Sequence, residues 1–330
     1  GYFLNGWLAA CGLILGQLVI VAGAAFAIEN ATGINRPTHW RYPLGLIWML
    51  ILNFLSAFAF TYPYTLPVMR ERGWLVYLIA LFVLAWGVVH PTTHEQKVRR
   101  EGLRLSGTIV ALATILIAIF VWPRAPEPLP QNNLRLATWN IHYGYDDDWH
   151  TNLQEMAEVI ASEGVDVIAM QEVDTGRMTS YCSDNAYFLA RQLGMQVVYL
   201  PAVEHLTGIA LLYKGPTVPS SVAFLTSLQE QTGVVHASLD WGSAGLDAYG
   251  IWMGLSDEDT LRQIDEALAF IGTSSPASFG GDFNSLPEDP EIDAVRDAAF
   301  ADPFDLLGVA NPAPTSPAID PQERIDFVWL

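Results

Sequence analysis

Residues 134–144 read LRLATWNIHYG. Apolar and polar side chains alternate over Leu134–Asn140, as in a half-buried strand. Asn152 with Glu155 forms a capping box ahead of a helix with the apolar face Leu153, Met156, Ala157 and Ile160. DVIAMQEV (166–173) follows as a buried strand, and Ser183 or Asp184 caps a second helix running through Leu193. Strand-like runs recur around Val197–Leu200, Ile209–Tyr213, Val234–Leu239 and Ala248–Met253. Ser256 caps a helix with Asp257, Glu258 and Asp259 in its first turn, where the helix dipole favours acids, and with Leu261, Ile264, Leu268 and Ile271 at helical spacing. So many consecutive strands exclude a simple alternating doubly wound fold and point to a layered α/β sandwich with mixed sheets.

Outward toward the N-terminus the chemistry changes. The 330 residues are 51% hydrophobic and 15% charged, with 16 Lys+Arg against 35 Asp+Glu and a net charge of -19. Residues 1–134 hold nine basic and five acidic residues, a net of +4, so the remainder carries −23. This balance excludes disorder and a small disulfide scaffold, and it argues against a basic nucleic-acid binder. Cys11 and Cys182, the two cysteines, are too far apart in chemistry and sequence to pair. Four apolar runs, about 2–28, 42–62, 73–89 and 105–122, suit a bilayer that needs about 20 apolar residues per helix. Lys97, Arg99, Arg100, Arg104, Arg36 and Arg41 lie on one side of these spans, and Arg70, Arg72 and Arg124 on the other. The positive-inside rule then makes this a multi-pass membrane protein whose acidic domain (134–330) faces the extracytoplasmic or luminal side. Residues 123–133, PRAPEPLPQNN, read as a proline-rich stalk.

Three polar clusters end buried strands: Trp139-Asn140-Ile141-His142, Gln171-Glu172-Val173-Asp174 and Gly280-Gly281-Asp282-Phe283-Asn284. Glu172 follows an apolar strand, where a carboxylate commonly finds a metal or a cation. Asn140 offers a neutral donor and acceptor. The glycines allow close backbone approach beside Asp282, a potential base, and Asn284, a potential oxyanion contact. Singly, each has a plainer explanation: a turn former, a surface cap, an Asx turn.

In combination and order, LRLATWNIHYG, DVIAMQEVD, FGGDFNSLPEDPEI and ERIDFVWL resemble the endonuclease/exonuclease/phosphatase superfamily over nearly all of 134–330. The resemblance implies a four-layer α/β sandwich, two mixed β-sheets flanked by helices, preceded here by the bundle of about four transmembrane helices. It implies phosphoester cleavage with Mg²⁺, or alternatively Mn²⁺. Glu172 would hold the metal, and Asn140 would position phosphate or metal. Asp282 would orient or deprotonate water, Asn284 would stabilise the phosphate, and Asp326 would orient a histidine further along. His142 is a further candidate near Asn140. The stretches NIHYGYDDDWHTNLQEMAEVI, RMTSYCSDNAYFLARQLGM and GLSDEDTLRQIDEAL are similar to a membrane branch of that superfamily. This branch includes the C-terminal domain of eukaryotic proteins that remodel the lipid of glycosylphosphatidylinositol anchors. Arg177, Tyr181 and Asp184 would then line a substrate-distinguishing rim, with packing and helix capping as the alternative for the last two.

Two departures stand out. Trp252 occupies the place of a superfamily histidine, and an indole N–H can donate but cannot carry a proton. The family's closing Ser-Asp-His segment would lie beyond Leu330, so the chain is expected to be a fragment. The leading expectation is a membrane-anchored, Mg²⁺-dependent phosphodiesterase-like hydrolase acting on a lipid or glycolipid phosphoester, with nucleic acid disfavoured by charge. A non-catalytic lipid- or glycolipid-binding module and a surface nuclease are the alternatives.

Overall fold

The computed structural model describes residues 41–60, 125–243, 245–273 and 276–330, with isolated positions between 75 and 116. The chain divides into two units near Arg124. In the first, Arg41–Phe60 forms helix α1, which coincides with the second apolar run and exposes Leu44, Leu46, Ile47 and Leu50. The expected span 2–28 lies outside the described residues, and the spans at 73–89 and 105–122 are described only at isolated helical positions. Among the described residues, no helix is long and apolar enough to cross a membrane.

In the second unit the alternating run becomes β1 (Leu136–Asn140). Helix α2 (Leu153–Ser162) returns the chain to β2 (Val167–Asp174), parallel to β1. This crossover is what a parallel pair requires. Helix α3 (Asn185–Leu193) then leads into the antiparallel hairpin of β3 (Gln196–Val203) and β4 (Thr207–Tyr213). The first sheet has the order β1-β2-β4-β3. The second has the order β5-β6-β7-β8-β9, with β5 (Ser220–Phe224), β6 (Gly233–Leu239), β7 (Leu246–Trp252), β8 (Ala277–Asp282) and β9 (Asp326–Trp329). Helix α4 (Asp257–Ile271) makes the crossover to the parallel pair β7/β8, and α5 (Pro290–Asp297) and the short α6 (Pro303–Leu306) follow β8.

Three apolar layers result. Ala169, Leu211, Val235, Ala248 and Trp252 meet between the sheets. Met156, Ile160, Leu189 and Leu193 of α2 and α3 cover the outer face of the first sheet through Ile168 and Met170. Ile264, Ala267, Ile292 and Val295 of α4 and α5 cover the second through Ile251, Phe279 and Phe283. The fold is therefore two mixed sheets with flanking helices. Each fully buried Leu, Ile or Phe in these layers contributes about 1.5–3 kcal/mol relative to its exposed state.

Local expectations fare unevenly. Asp184 caps α3 by accepting from the Tyr187 N–H at 2.9 Å, and Ser256 caps α4. The expected Asn152–Glu155 capping box does not form. Asn152 sits at φ −131, ψ 16 without a side-chain cap bond, and its N–H is taken by the Gly144 carbonyl at 2.9 Å. The end of the proline-rich segment does not stand free. Glu127 exchanges backbone hydrogen bonds with Gly194 and Gly215, Leu129 is buried, and Gln131 donates to the Asp240 carbonyl.

Candidate functional site

The parallel pairs β1/β2 and β7/β8 bring their C-terminal ends together between the sheets. Gln171, fully buried, bridges the gap, donating to Thr138 Oγ1 at 3.1 Å and to the Ile251 carbonyl at 3.2 Å. Strict alternation would aim the next residue away from that space. A β-bulge prevents this: the register of β2 against β4 shifts between Met170 and Val173, and Glu172 takes φ 54. Bulges re-aim side chains in this way, and here Glu172 turns toward Asn140.

Asn140 is the hub. Its Oδ1 accepts from the His142 N–H at 3.1 Å, and its Nδ2 donates to Glu172 Oε1 and Asp282 Oδ2, both at 3.0 Å. Asp282 ends β8, where Gly281 leaves no room for a side chain: a Cβ there would lie 2.0 Å from the Ile251 carbonyl oxygen. Asp282 Oδ1 accepts from the Asn284 N–H at 3.0 Å in an Asx turn that holds Asn284 at φ 47. The Asn284 side-chain NH₂ is used by the Met253 carbonyl at 2.9 Å. Asp326 stands opposite Asp282 in the β8/β9 register, and its Oδ1 is buried without a hydrogen-bond partner.

Burial pushes the Asp282 carboxyl up to about 7; the neighbouring Asp326 charge adds to this, while the Asn140 amide and the Asn284 N–H oppose it. Burial also raises Asp326, with Thr315 pulling it back. Glu172 is raised by burial, partly offset by hydrogen bonding from Asn140, the field of His142 and the Tyr143 hydroxyl. The nearby arginines are committed elsewhere, Arg177 to Asp174 at 3.3 Å and Arg324 to Asp302 at 2.7 Å. Asn140, His142, Glu172, Asp282 and Asp326 open onto a cavity of about 920 Å³, walled by Leu136, Thr138, Phe304, Thr315 and Val328 among others.

The remaining sequence candidates lie elsewhere. Trp252 is 3% exposed and packs in the apolar layer between the sheets. Arg177 is buried against Asp174, which also accepts from Ser180 and Thr207. Tyr181 is exposed at φ 56, and Asp184 is the α3 cap. Sequence reasoning passed over Tyr143, whose hydroxyl eases the Glu172 carboxyl toward its charged form, and Asn185, which donates to the Tyr143 carbonyl at 2.8 Å. The only signal for Tyr143 was its place inside the NIHYG run.

Asp282 is buried and Glu172 and Asp326 are half-buried, and with one orphaned oxygen they present carboxylate donors of the kind a divalent cation takes. Among the described residues there is no group of three His, Cys, Asp or Glu that could cage one. A Mg²⁺ ion at Glu172 would have to complete its shell with waters and substrate oxygens.

Residues 131–278 match the family described as PGAP2IP, C-terminal nuclease-like domain. Protein cwh43 of Schizosaccharomyces pombe is 26% identical over 343 residues, covering 91% of this chain and 34% of its own length. The chain thus spans about a third of the curated relative it matches. Among solved structures, an endonuclease/exonuclease/phosphatase from Beutenbergia cavernae aligns at 21% identity and TM-score 0.47, covering 59% of this chain and 63% of that one. The human Nocturnin catalytic domain with bound sulfate aligns at 21% identity and TM-score 0.47, covering 59% and 80%. Over residues 131–278 the chain is similar to the PGAP2IP C-terminal nuclease-like domain, and over most of its length to Protein cwh43, which agrees with the resemblance to the endonuclease/exonuclease/phosphatase superfamily.

Proposed function

We propose that the domain is a divalent-cation-dependent phosphoric ester hydrolase acting on a lipid or lipid-linked phosphoester, carried by a membrane anchor within residues 1–122. The observation that carries the reading is that Asn140 binds both Glu172 and Asp282, with Asp326 in register beside Asp282, at one cavity. Glu172 would hold the cation, with Asp282 and Asp326 beside it. A bound Mg²⁺ supplies polarisation of a phosphoryl oxygen and a lowered pKa for water.

The protein's own groups provide the rest. Asp282, with its carboxyl near 7, is matched to accept a proton from water at neutral pH. Asn140, locked by His142, keeps two N–H bonds on the carboxylates and so holds Glu172 and Asp282 in register. Asn284 shapes the turn that fixes Asp282. The four apolar runs support a membrane tether, and a tethered domain meets lipid phosphoesters at high local concentration. The −23 balance of the domain repels a polyanion and supports lipid over nucleic acid.

The test is Glu172→Gln in the full chain, assayed against a broad panel of lipid phosphodiesters with Mg²⁺. Loss of hydrolysis is expected, and unchanged hydrolysis would remove the metal role. Absence of any cleavage by the wild type would favour a binding module, the reading that Trp252 in place of histidine motivates. Efficient cleavage of DNA would overturn the substrate preference.

A further inference from the structure

Trp149 stands 60% exposed beside the site. It belongs to the loop after β1, where Tyr145 and Thr151 form an antiparallel bridge and the chain between them folds around Asp146. The Asp146 carbonyl accepts from the Trp149 N–H at 3.1 Å, and its carboxylate accepts from the N–H groups of Asp148 and His150 at 3.0 and 2.8 Å. The loop so closed carries the indole back toward the strand end. Its ring centroid lies 4.7 Å from that of His142 and 5.8 Å from that of Tyr145, tilted by 57° and 53°. His142 lines the cavity and donates its N–H to Asn140. An exposed aromatic surface is thus continuous with the wall of the site.

An indole attracts a cation over its face more strongly than any other side chain, and an exposed one also suits a membrane interface. The neighbours choose between these uses. Asp147 and Asp148 are exposed in the same loop, and residues 141–152 contain no Lys or Arg. Lipid phosphates would repel carboxylates seated among them. A small cation on the indole gains from both the negative ring face and the field of these acids.

We propose that Trp149 is a specificity-determining residue, its open face taking the ammonium group of a substrate held at the Asn140 site by its phosphoester. That the substrate is a phosphoester rests on the reading proposed above. That it carries an ammonium rests on the ring geometry and the charge of this loop. The substrate class narrows to phosphoesters whose head group bears an amine or a quaternary ammonium.

The experiment uses the full chain in an uncharged detergent, without divalent cations. Choline and its uncharged isostere, with tert-butyl in place of trimethylammonium, are titrated by saturation-transfer proton magnetic resonance against wild type, Trp149→Tyr and Trp149→Leu. Wild type is expected to prefer choline by about 2–30-fold, the range of a cation on an indole face. Trp149→Tyr should keep part of that preference. Trp149→Leu keeps an apolar side chain without the π face and should lose it. No preference in wild type, or one that survives in folded Trp149→Leu, overturns the proposal. Should Trp149→Leu not fold, a nuclear Overhauser contact from the choline methyl protons to an indole ring decides. Its disappearance in Trp149→Tyr supports the assignment; its persistence there, or its absence in wild type, overturns it. Neither arm involves hydrolysis or Mg²⁺, so failure here leaves the hydrolase reading standing. Unchanged hydrolysis by Glu172→Gln would equally leave the Trp149 face standing.

Discussion

Asn140 Nδ2 lies 3.0 Å from Asp282 Oδ2, joining residues 142 positions apart and belonging to different sheets. With its other hydrogen on Glu172 and its oxygen on the His142 N–H, this amide has one orientation that satisfies all three contacts. It joins two strand ends into one site.

Asn140→Ala should therefore lower phosphoester hydrolysis by about 10²–10³-fold, the usual cost of a preorganised donor. Donation to a carboxylate favours its charged form. Removing it raises Glu172 and Asp282 further, so the acid limb of the pH–rate profile moves to higher pH. A profile that keeps its acid limb would show that Asn140 does not tune these groups.

Asp282 also makes a prediction for the metal-free protein. Its carboxyl stands at about 7 in the folded state against about 3.9 in an unfolded chain. The native state therefore binds the extra proton between these values, and stability is lost as pH rises from about 4 through 7. At about 1.4 kcal/mol per pKa unit, the share of Asp282 is on the order of a few kcal/mol. Asp282→Asn should flatten the pH dependence of urea unfolding in EDTA and raise stability at pH 8. An unchanged slope would contradict the burial argument.

The same uncompensated charge predicts a response to cations. Mg²⁺ at about 100 times its dissociation constant should stabilise the wild type by about 2.7 kcal/mol through mass action. The gain should be larger at pH 8 than at pH 5, where protons compete for the carboxylates. Glu172→Gln should abolish most of it. Thermal unfolding with and without EDTA measures both, and an equal gain in the variant would place the cation elsewhere.

How much of this was legible in the sequence follows from what periodicity can carry. Glu172 and Asp282 were visible as acids ending apolar runs, because burying a charge at a strand end needs a reason. The bulge that turns Glu172 inward was not visible, since it depends on pairing with β4. Strand β5 was missed because SSVAF is mostly exposed and carries little apolar signal. Arg177 read as a rim residue from its place in the RMTSYCSDN stretch that resembles the membrane branch, yet its ion pair with Asp174 lets it be buried. Trp252 was located by motif position, while its packing between the sheets came from the register of β7 with its neighbours.

Arg324 shows how the strand carrying Asp326 is held. Its guanidinium pairs with Asp302 at 2.7 Å and lies 4.4 Å from the Phe327 ring and 4.8 Å from that of Phe304. Arg324→Ala leaves Asp302, 4% exposed, without its cation, which should cost about 3–5 kcal/mol. Asp302→Ala should cost a similar amount, and the double variant less than the sum of the two. Additive losses in urea unfolding would mean the pair is not coupled.

The two glycines of FGGDFN separate backbone approach from ordinary strand packing. A Cβ at Gly281 would lie 2.0 Å from the Ile251 carbonyl oxygen, an atom fixed by the β7/β8 ladder, whereas at Gly280 the nearest atom, the Phe327 oxygen, is 3.2 Å away. Gly281→Ala must therefore push β7 and β8 apart next to Asp282, and is expected to cost more than about 3 kcal/mol, beyond ordinary overpacking. Gly280→Ala needs only a few tenths of an ångström from its neighbour and gains from reduced freedom of the unfolded chain, so it should change stability by less than about 1 kcal/mol. Denaturant unfolding of the two variants side by side decides the point. Equal effects would mean that the close approach at Gly281 does not constrain the fold, and that its place beside Asp282 has another cause.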